Sequence, residues 1–580
     1  MRYRWSMVST PEKRLNQIRE AANISPLLAR SLLSRGISGP EEVSTFLEPR
    51  LKTLQDPFKI PEMRQAVEAL FKARSENRLI IVFGDYDVDG VTSTALLSDV
   101  LSKLGWRVRT YLPERISEGY GLSMDAAKNL LTLFEPALIL AVDCGTTSAQ
   151  PISLLNQAGF STVIVDHHQA HGKRPDAVAL VNPHVLLNDA AEGGTDAEDA
   201  PFIELCSVGL CFKLAHAIVK EGRLRGLPAA LELDLKNYLD LVALGTIADL
   251  VPLTGENRIF CRFGLQALHT TSRPGLKALK KVAATRDFPG CSEVAFQLAP
   301  RLNAAGRLEN AAQALRLLLA VDELEAQSTA LILDTQNRER QKIEKTIHNE
   351  VMERLKVNFQ SERDFVIVEG DSNWHVGVVG IVASRVMQEF YRPTIICGGE
   401  GDSWRGSGRS IEGFDLARSL NECSDLLLRF GGHSMAAGIT IAPGNLQALR
   451  DRLNPLVRDR LNPELLKPAL RLEGEVDLGE ITFESLNDLA KLGPFGQGNP
   501  PVRLLARNLF HQRPPSWFGK DNLHLKLWVT DGRSTFEGIS WSCREVPPAA
   551  GRFHLAFTPE LSEFQGNLKI QLKVLDWQKA

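Results

Sequence analysis

The sequence predicts an α/β protein: a parallel-sheet domain, a second α/β domain joined to it by a long helix, and a small β-barrel at the C-terminal end. Three observations predict it. Apolar runs of four to six residues alternate with amphipathic helical patterns from "RLIIVFGDYD" to "STVIVDHH", the texture of a sheet covered on both faces. The alternation reopens at "DFVIVEGDSNWHVGVVGIVASRVMQEF" (364–390), after an almost wholly helical stretch from 308 to 357. Past Pro468 the texture turns to short alternating runs, such as "HLKLWVTDG" and "LKIQLKVLDW", with turn signals between them. Such runs suit a small barrel.

Taken in order, residues 1–75 read as mostly helical. "NISPLLARSLLSRGI" (23–37) has apolar spacing of three and four and stops near Gly36. Residues 76–265 form the first α/β domain. "LIIVF" (79–83) leads to a helix in "TSTALLSDVLSKLG", "ALILAVDCG" (137–145) to one in "SAQPISLLNQAG", and "STVIVDHH" (161–168) follows. "LLNDAAEGGTDAEDA" (186–200) reads as an acidic, mobile surface loop. Residues 266–360 are a helical connector whose end, "LDTQNRERQKIEKTIHNEVMERLK", could bridge domains. Residues 361–460 form the second α/β domain and 468–580 the barrel, with "LGPFGQGNP" (492–500) as a structural turn leading into it.

The chain is 44% hydrophobic and 24% charged, the balance of a folded soluble protein. Its longest apolar runs are too short to span a bilayer, and its first residues lack the apolar core of a secretory signal. Eight cysteines without a Cys-x-x-Cys pair argue against a zinc site or a disulfide framework. A reducing cytoplasm, and no membrane, is the expectation. The net charge of −3 gives no global basic field, so a polyanion would be held by local patches.

Asp85, Asp87 and Asp89 crowd together in "IVFGDYDVDG" (81–90), and carboxylates this close repel. Asp143 follows a second strand, and Asp166, His167 and His168 a third. These strand ends mark the edge where open α/β sheets place ligands. Asp249 lies in apolar "LVALGTIADLVPL", where a lone carboxylate would be costly. One aspartate after a strand is ordinarily a cap or turn residue, but three such ends in one sheet point to a shared task. Oxygen and imidazole ligands without thiolate suit Mn²⁺ or Mg²⁺. Two such ions are the standard device for displacement at phosphorus.

Elsewhere, "SWRGSGRSIEGFDL" (403–416) and "RFGGHSMAAG" (429–438) combine glycines with Arg405, Arg409, Arg429 and His433. Glycines let backbone N–H groups approach an anion and arginine grips phosphate bidentately. "LPERISEGYGL" (112–122) offers Arg115 and Tyr120, suited to a phosphate and a base. From Arg503 onward eleven Lys/Arg stand against seven Asp/Glu, interleaved with Trp517, Phe518, Trp528, Trp541, Phe553 and Phe564. A basic, aromatic barrel face is how OB-folds hold single strands, although part of these aromatics fills the barrel.

These stretches, with "GDYDVDGVTSTALL", "AVDCGTTS", "VIVDHHQ", "ALVNPH", "LVALGTIADLVPLTGENR" and "PRLNAAGRL" in order from about 80 to 440, resemble the DHH phosphoesterase superfamily. Within it they resemble the branch of single-strand-specific 5′→3′ DNA exonucleases. The resemblance implies metal ligands at Asp87, Asp89, Asp143, His167 and Asp249, with Asp85 and His168 beside the metals or the scissile phosphate. Where many DHH enzymes carry a histidine, four residues before Asp87, this chain has Phe83, which cannot ligate; Asp85 is expected to substitute. The resemblance makes 403–438 part of a DHH-associated domain in which Ser407, Arg409 and His433 contact substrate phosphates. It adds Arg307 to a pocket for the 5′ end, supports Arg115 and Tyr120 as a strand grip, and makes 468–580 an OB-fold.

The function expected is release of 5′-mononucleotides from single-stranded DNA by two ions, Mn²⁺ or Mg²⁺, in recombination and repair. The resemblance implies a monomer working beside a single-strand-binding protein and a RecQ-type helicase. The alternatives are a DHH phosphodiesterase acting on short RNA or cyclic dinucleotides, and a non-catalytic strand-binding scaffold.

Overall fold

The computed structural model describes residues 3–580 apart from 116, 171, 186–201, 309, 544 and 565. The acidic stretch 186–200 and the side chain of Phe564 therefore lie outside the described residues. Contacts divide the chain into two units. One holds residues 48–340 and 494–500; the other holds 1–47, 341–493 and 501–580.

The first strand of the chain pairs with one far along it: β1 (Arg4–Met7) runs parallel to Ala469–Leu472, within the second unit. In the first unit, β2 (Ile80–Gly84), β3 (Val108–Tyr111), β4 (Leu138–Val142), β5 (Ser161–Val165) and β6 (Ala179–Val181) form one sheet in the order β3-β2-β4-β5-β6. Every pair in it is parallel, as the sequence predicts. Side chains alternate by twos between two cores. Ile80, Val82, Leu140, Val142, Val163 and Val165 face one, and Ile81, Phe83, Ile139, Ala141 and Ile164 the other. The first core is closed by helices α1 (Val88–Lys103), α2 (Ser207–Leu224) and α3 (Leu239–Ala248). Each fully buried aliphatic side chain contributes about 1.5–3 kcal/mol, so two apolar layers hold the sheet's C-terminal edge rigidly in place. The chain steps from β2 outward to β3 and then back past β2 to β4. This order puts the topological switch between β2 and β4, where such sheets bind ligands.

Two further helices complete the unit's edge. These are α4 (Ala299–Leu308) and α5 (Glu323–Asn358), the long helix expected from the sequence; its first half belongs to this unit and its second half to the other.

In the second unit, β7 (Ile367–Asp371), β8 (Thr394–Gly398), β9 (Trp404–Arg409), β10 (Leu427–Gly432) and β11 (Ala436–Ile441) form a mixed sheet ordered β10-β11-β9-β8-β7. Only β7–β8 is parallel. Helix α6 (Val379–Phe390) packs on it. After β12 (Ala469–Leu472) and β13 (Gly474–Glu475) comes the expected barrel, from β14 (Leu504–Phe518), β15 (His524–Thr530), β16 (Thr535–Ser540), β17 (Phe553–Phe564) and β18 (Asn567–Lys579). The β14–β17 pairing closes it. Phe553 and Phe557 fill its interior, while Trp517 and Trp541 stay about half exposed.

The Gly/Pro stretch before the barrel does more than turn. Residues Pro494–Pro500 belong to the first unit, where the amide of Leu253 donates to the carbonyl of Gln497 at 2.8 Å. That seats the stretch on the chain just after Asp249.

Candidate metal centre

Every acidic and histidine ligand predicted from the sequence arrives at one rim. Asp87 is the N-cap of α1: its Oδ1 accepts from the amides of Asp89 (3.0 Å) and Gly90 (3.2 Å). Gly90 is required there, because a Cβ would sit 2.5 Å from the carbonyl oxygen of Asp85. Asp89, two residues on, is buried, and its two oxygens accept from Ser207 N (2.7 Å) and Val208 N (2.8 Å), at the N-terminus of α2. The helix dipole steadies that carboxylate. Asp143 ends β4 in the left-handed region, φ 63°, a conformation aspartate tolerates at modest cost. Asp249 caps the C-terminus of α3. Gly245, one turn earlier, lets that helix approach: a Cβ there would lie 2.4 Å from Thr92 Oγ1 and 3.2 Å from Asp89 Oδ1.

His167 stands at the centre. Its Nε2 lies 3.5 Å from Asp143 Oδ1, 3.6 Å from Asp249 Oδ2 and 3.8 Å from Asp89 Oδ2. Three sets of ligand atoms lie within 4.8 Å of one another: Asp89–His167–Asp249, Asp85–Asp87–Asp143 and Asp143–His167–His168. Asp143 belongs to the second and third sets and His167 to the first and third, so the 3.5 Å contact between them joins the cluster. Asp85 Oδ2, Asp143 Oδ1 and His167 Nε2 are all buried without a hydrogen-bond partner, and such atoms ordinarily find one.

The electrostatics tell the same story. Burial first, then mutual repulsion, pushes the carboxyls of Asp85, Asp89, Asp143 and Asp249 above the usual carboxylate range. Burial, with His168 beside it, holds His167 down to about 3, so its imidazole is a neutral acceptor. Acceptors of one kind, crowded and dry, fit a hard divalent cation bound by oxygen and one imidazole. The donors divide into two groups, Asp89–His167–Asp249 and Asp85–Asp87–Asp143, which meet where Asp143 Oδ1 lies 3.5 Å from His167 Nε2.

Asp166, read from the sequence with the ligands, is occupied otherwise. Its oxygens accept from Thr146 N (3.0 Å), His167 N (2.8 Å) and His168 Nδ1 (2.7 Å). Against the cost of burial, that bond to Asp166 raises His168 to about 9. His168 Nε2 lies 2.8 Å from the hydroxyl of Tyr120, so Asp166, His168 and Tyr120 form a chain leading out of the cluster. Phe83 points away from the cluster, stacked on Tyr111 at 5.5 Å in the apolar core. Asp85 takes part in the cluster, as expected.

Of the other predicted residues, Arg115 lies over the ring of Tyr86 at 5.2 Å, and Arg307 is close enough to Asp87, Tyr86 and Arg115 to feel their charge. Both border the cluster. Ser407, Arg409 and His433 gather in the second unit. Arg409 Nη1 donates to Ser407 Oγ at 2.8 Å. Arg409 pairs in register with Ala436, whose carbonyl accepts from the His433 amide at 2.8 Å.

Two residues escaped sequence reasoning. Asn303 Oδ1 accepts from Val88 N at 3.1 Å, tying α4 to the N-terminus of α1. Glu118, buried, accepts from Tyr111 Oη (2.5 Å), Asn129 Nδ2 and Glu114 N (2.7 Å). It thereby locks the loop that carries Arg115 and Tyr120. The asparagine sits in "NAAGRL" and had a signal; a lone glutamate in a loop has none.

Three segments match known families: residues 79–246 the DHH family N-terminal domain, 363–459 the DHHA1 domain and 472–576 the RecJ OB domain. The single-stranded-DNA-specific exonuclease RecJ of Bacillus subtilis is 36% identical over 99% of this chain and 70% of that protein. RecJ of Escherichia coli is 34% identical over 95% of both. The crystal structure of Thermus thermophilus RecJ in complex with Mn²⁺ aligns with a TM-score of 0.84 at 28% identity, covering 100% of this chain and 80% of that one. The same protein with Mg²⁺ aligns at 0.78.

Proposed function

Because the chain belongs to the RecJ family of single-stranded-DNA-specific exonucleases, we propose that it removes 5′-mononucleotides from the 5′ end of single-stranded DNA with two divalent cations. It is a metal-dependent nuclease, and Mn²⁺ or Mg²⁺ is its cofactor. One observation carries the two-cation reading: orphaned buried ligand atoms on Asp85, Asp143 and His167, in adjoining donor sets joined by the contact between Asp143 and His167. When bound, such cations polarise the scissile phosphate and lower the pKa of the attacking water.

The chain's own residues do the rest. Asp85, Asp87, Asp89, Asp143, His167 and Asp249 hold the cations. His168, kept protonated by Asp166, offers a positive charge and an N–H next to the reacting phosphate. Arg115 and Arg307 grip the 5′ end, Tyr120 and Tyr86 border the base, and Ser407, Arg409 and His433 bind phosphate on the second unit. We assign catalysis to 76–265, phosphate binding to 361–460 and strand holding to the barrel, 468–580, with 266–360 as connector. A single-strand-binding protein and a RecQ-type helicase are the partners this reading implies, and the protein acts as a monomer.

The test is digestion of one oligonucleotide labelled at either end, with Mn²⁺, Mg²⁺ or chelator. Mononucleotides released from the 5′ label first, and none in chelator, are expected. Release from the 3′ end, or activity confined to dinucleotides, refutes the reading. A second expectation follows from the buried carboxylate of the loop. Glu118→Gln leaves one of its buried donors facing an N–H, a cost of about 1–3 kcal/mol. It should raise KM for a strand roughly tenfold, leaving Mn²⁺ affinity unchanged by calorimetry.

A further inference from the structure

The helix that brings Asn303 and Arg307 to the centre begins irregularly. Pro300 has no N–H to give the carbonyl of Phe296, and its ring disfavours the ordinary helical spacing. The chain forms a π-turn instead, Val294–Leu298, in which the amide of Ala299 reaches back to the carbonyl of Val294. Such single turns often mark functional positions. Arg301 Nη1 fills the carbonyl of Gln297 at 2.6 Å and is itself held by Asp334 at 2.9 Å, so the irregular turn is braced.

From within that turn onward, Phe296, Pro300, Asn303 and Arg307 succeed one another at steps of four, three and four, along one face. None of the four is buried, whereas Val294, Leu298, Ala299, Leu302 and Ala305 turn inward. Asn303 reaches Val88 beside the cation ligands, and Arg307 lies near Asp87 and Tyr86. Phe296 closes the row at the far end and is 78% exposed. Packing does not account for a bare phenyl ring there.

We propose that Phe296 is a stacking platform for a nucleobase of the strand, at the end of this row opposite Arg307. The proposal rests on the exonuclease reading above. An aromatic face stacks any base, so the contact suits an enzyme that must accept every sequence. Arg307 follows Phe296 by eleven positions, about 16 Å of helix and at most about five stacked nucleotides. A dinucleotide held at Arg307 falls short of the ring; a longer strand reaches it.

The experiment uses the full chain and a labelled strand of about twelve nucleotides, binding being read by anisotropy in chelator and turnover with Mn²⁺. Phe296→Ala should weaken binding, and raise KM, by roughly five- to a hundred-fold. It should leave kcat and dinucleotide hydrolysis unchanged, and Phe296→Trp should restore affinity. Equal binding by wild type and Phe296→Ala overturns the proposal, as does an equal loss on the dinucleotide, which marks a damaged fold. A wild-type protein that binds through Phe296 but releases no nucleotide refutes the exonuclease reading alone.

Discussion

Replacing Asp143 with asparagine lowers nucleotide release by about three orders of magnitude or more, while binding of the strand survives. Asp143 belongs to the Asp85–Asp87–Asp143 set and its Oδ1 lies 3.5 Å from His167 Nε2 of the Asp89–His167–Asp249 set, so its loss should weaken both cation positions together. The Lewis-acid contribution of bound cations is several kcal/mol, and each ~1.4 kcal/mol is tenfold in rate. Asparagine is the informative substitution. It keeps the volume, and it tolerates the left-handed backbone at φ 63°, where alanine would add a conformational cost of its own. On the reading proposed above, strand binding falls to Arg115, Arg307 and the second unit's Ser407 and Arg409, none of which is altered. Single-turnover release with Mn²⁺, set beside anisotropy in chelator, separates the two effects. Turnover within tenfold of wild type would remove Asp143 from the centre.

The second large effect is on stability. Asp85, Asp89, Asp143 and Asp249 are held above the usual carboxylate range, chiefly by burial and then by one another. A carboxyl whose folded pKa is raised binds protons more tightly folded than unfolded. Its ionisation therefore costs stability, beginning as pH rises past the unfolded value of about 4 and complete only above the folded value. In chelator the protein should melt at higher temperature as pH falls from 9 towards 5. Divalent cations reverse the balance by stabilising the ionised form. At a hundred times its Kd, each cation adds about 2.7 kcal/mol, so two should raise the melting transition of the unit holding the cluster by on the order of 10 °C. Scanning calorimetry in chelator and in Mn²⁺ across that pH range checks both signs. Identical pH slopes with and without cation would show that the carboxylates do not share a cation.

The sequence made the cluster legible because its ligands stand where turn chemistry and strand periodicity announce them: past the ends of β2, β4 and β5. Asp249 was legible by a different route, as a charge stranded in an apolar segment. The parallel sheet, the long helix and the barrel were legible from their periods. What stayed hidden depends on distant partners. Nothing near Arg4–Met7 foretells a partner strand at Ala469–Leu472. Nothing around Glu118 foretells that three donors converge on it. Asp166 carries the same side chain as the ligands beside it, and only the donors around it set it apart. Phe296 reads as one more apolar residue of a helix, and only Pro300 four residues later hints that its face is displaced.

The backbone passes between the two units after Leu47, Arg340, Gly493 and Pro500. A ribosome has produced every cluster ligand once Asp249 emerges, yet the seven residues that seat beside Pro252 and Leu253 are made long afterwards. The half-synthesised chain thus carries every residue of the cluster before the stretch that packs on Pro252 and Leu253 exists, so the first unit gains its last segment only once Pro500 is made.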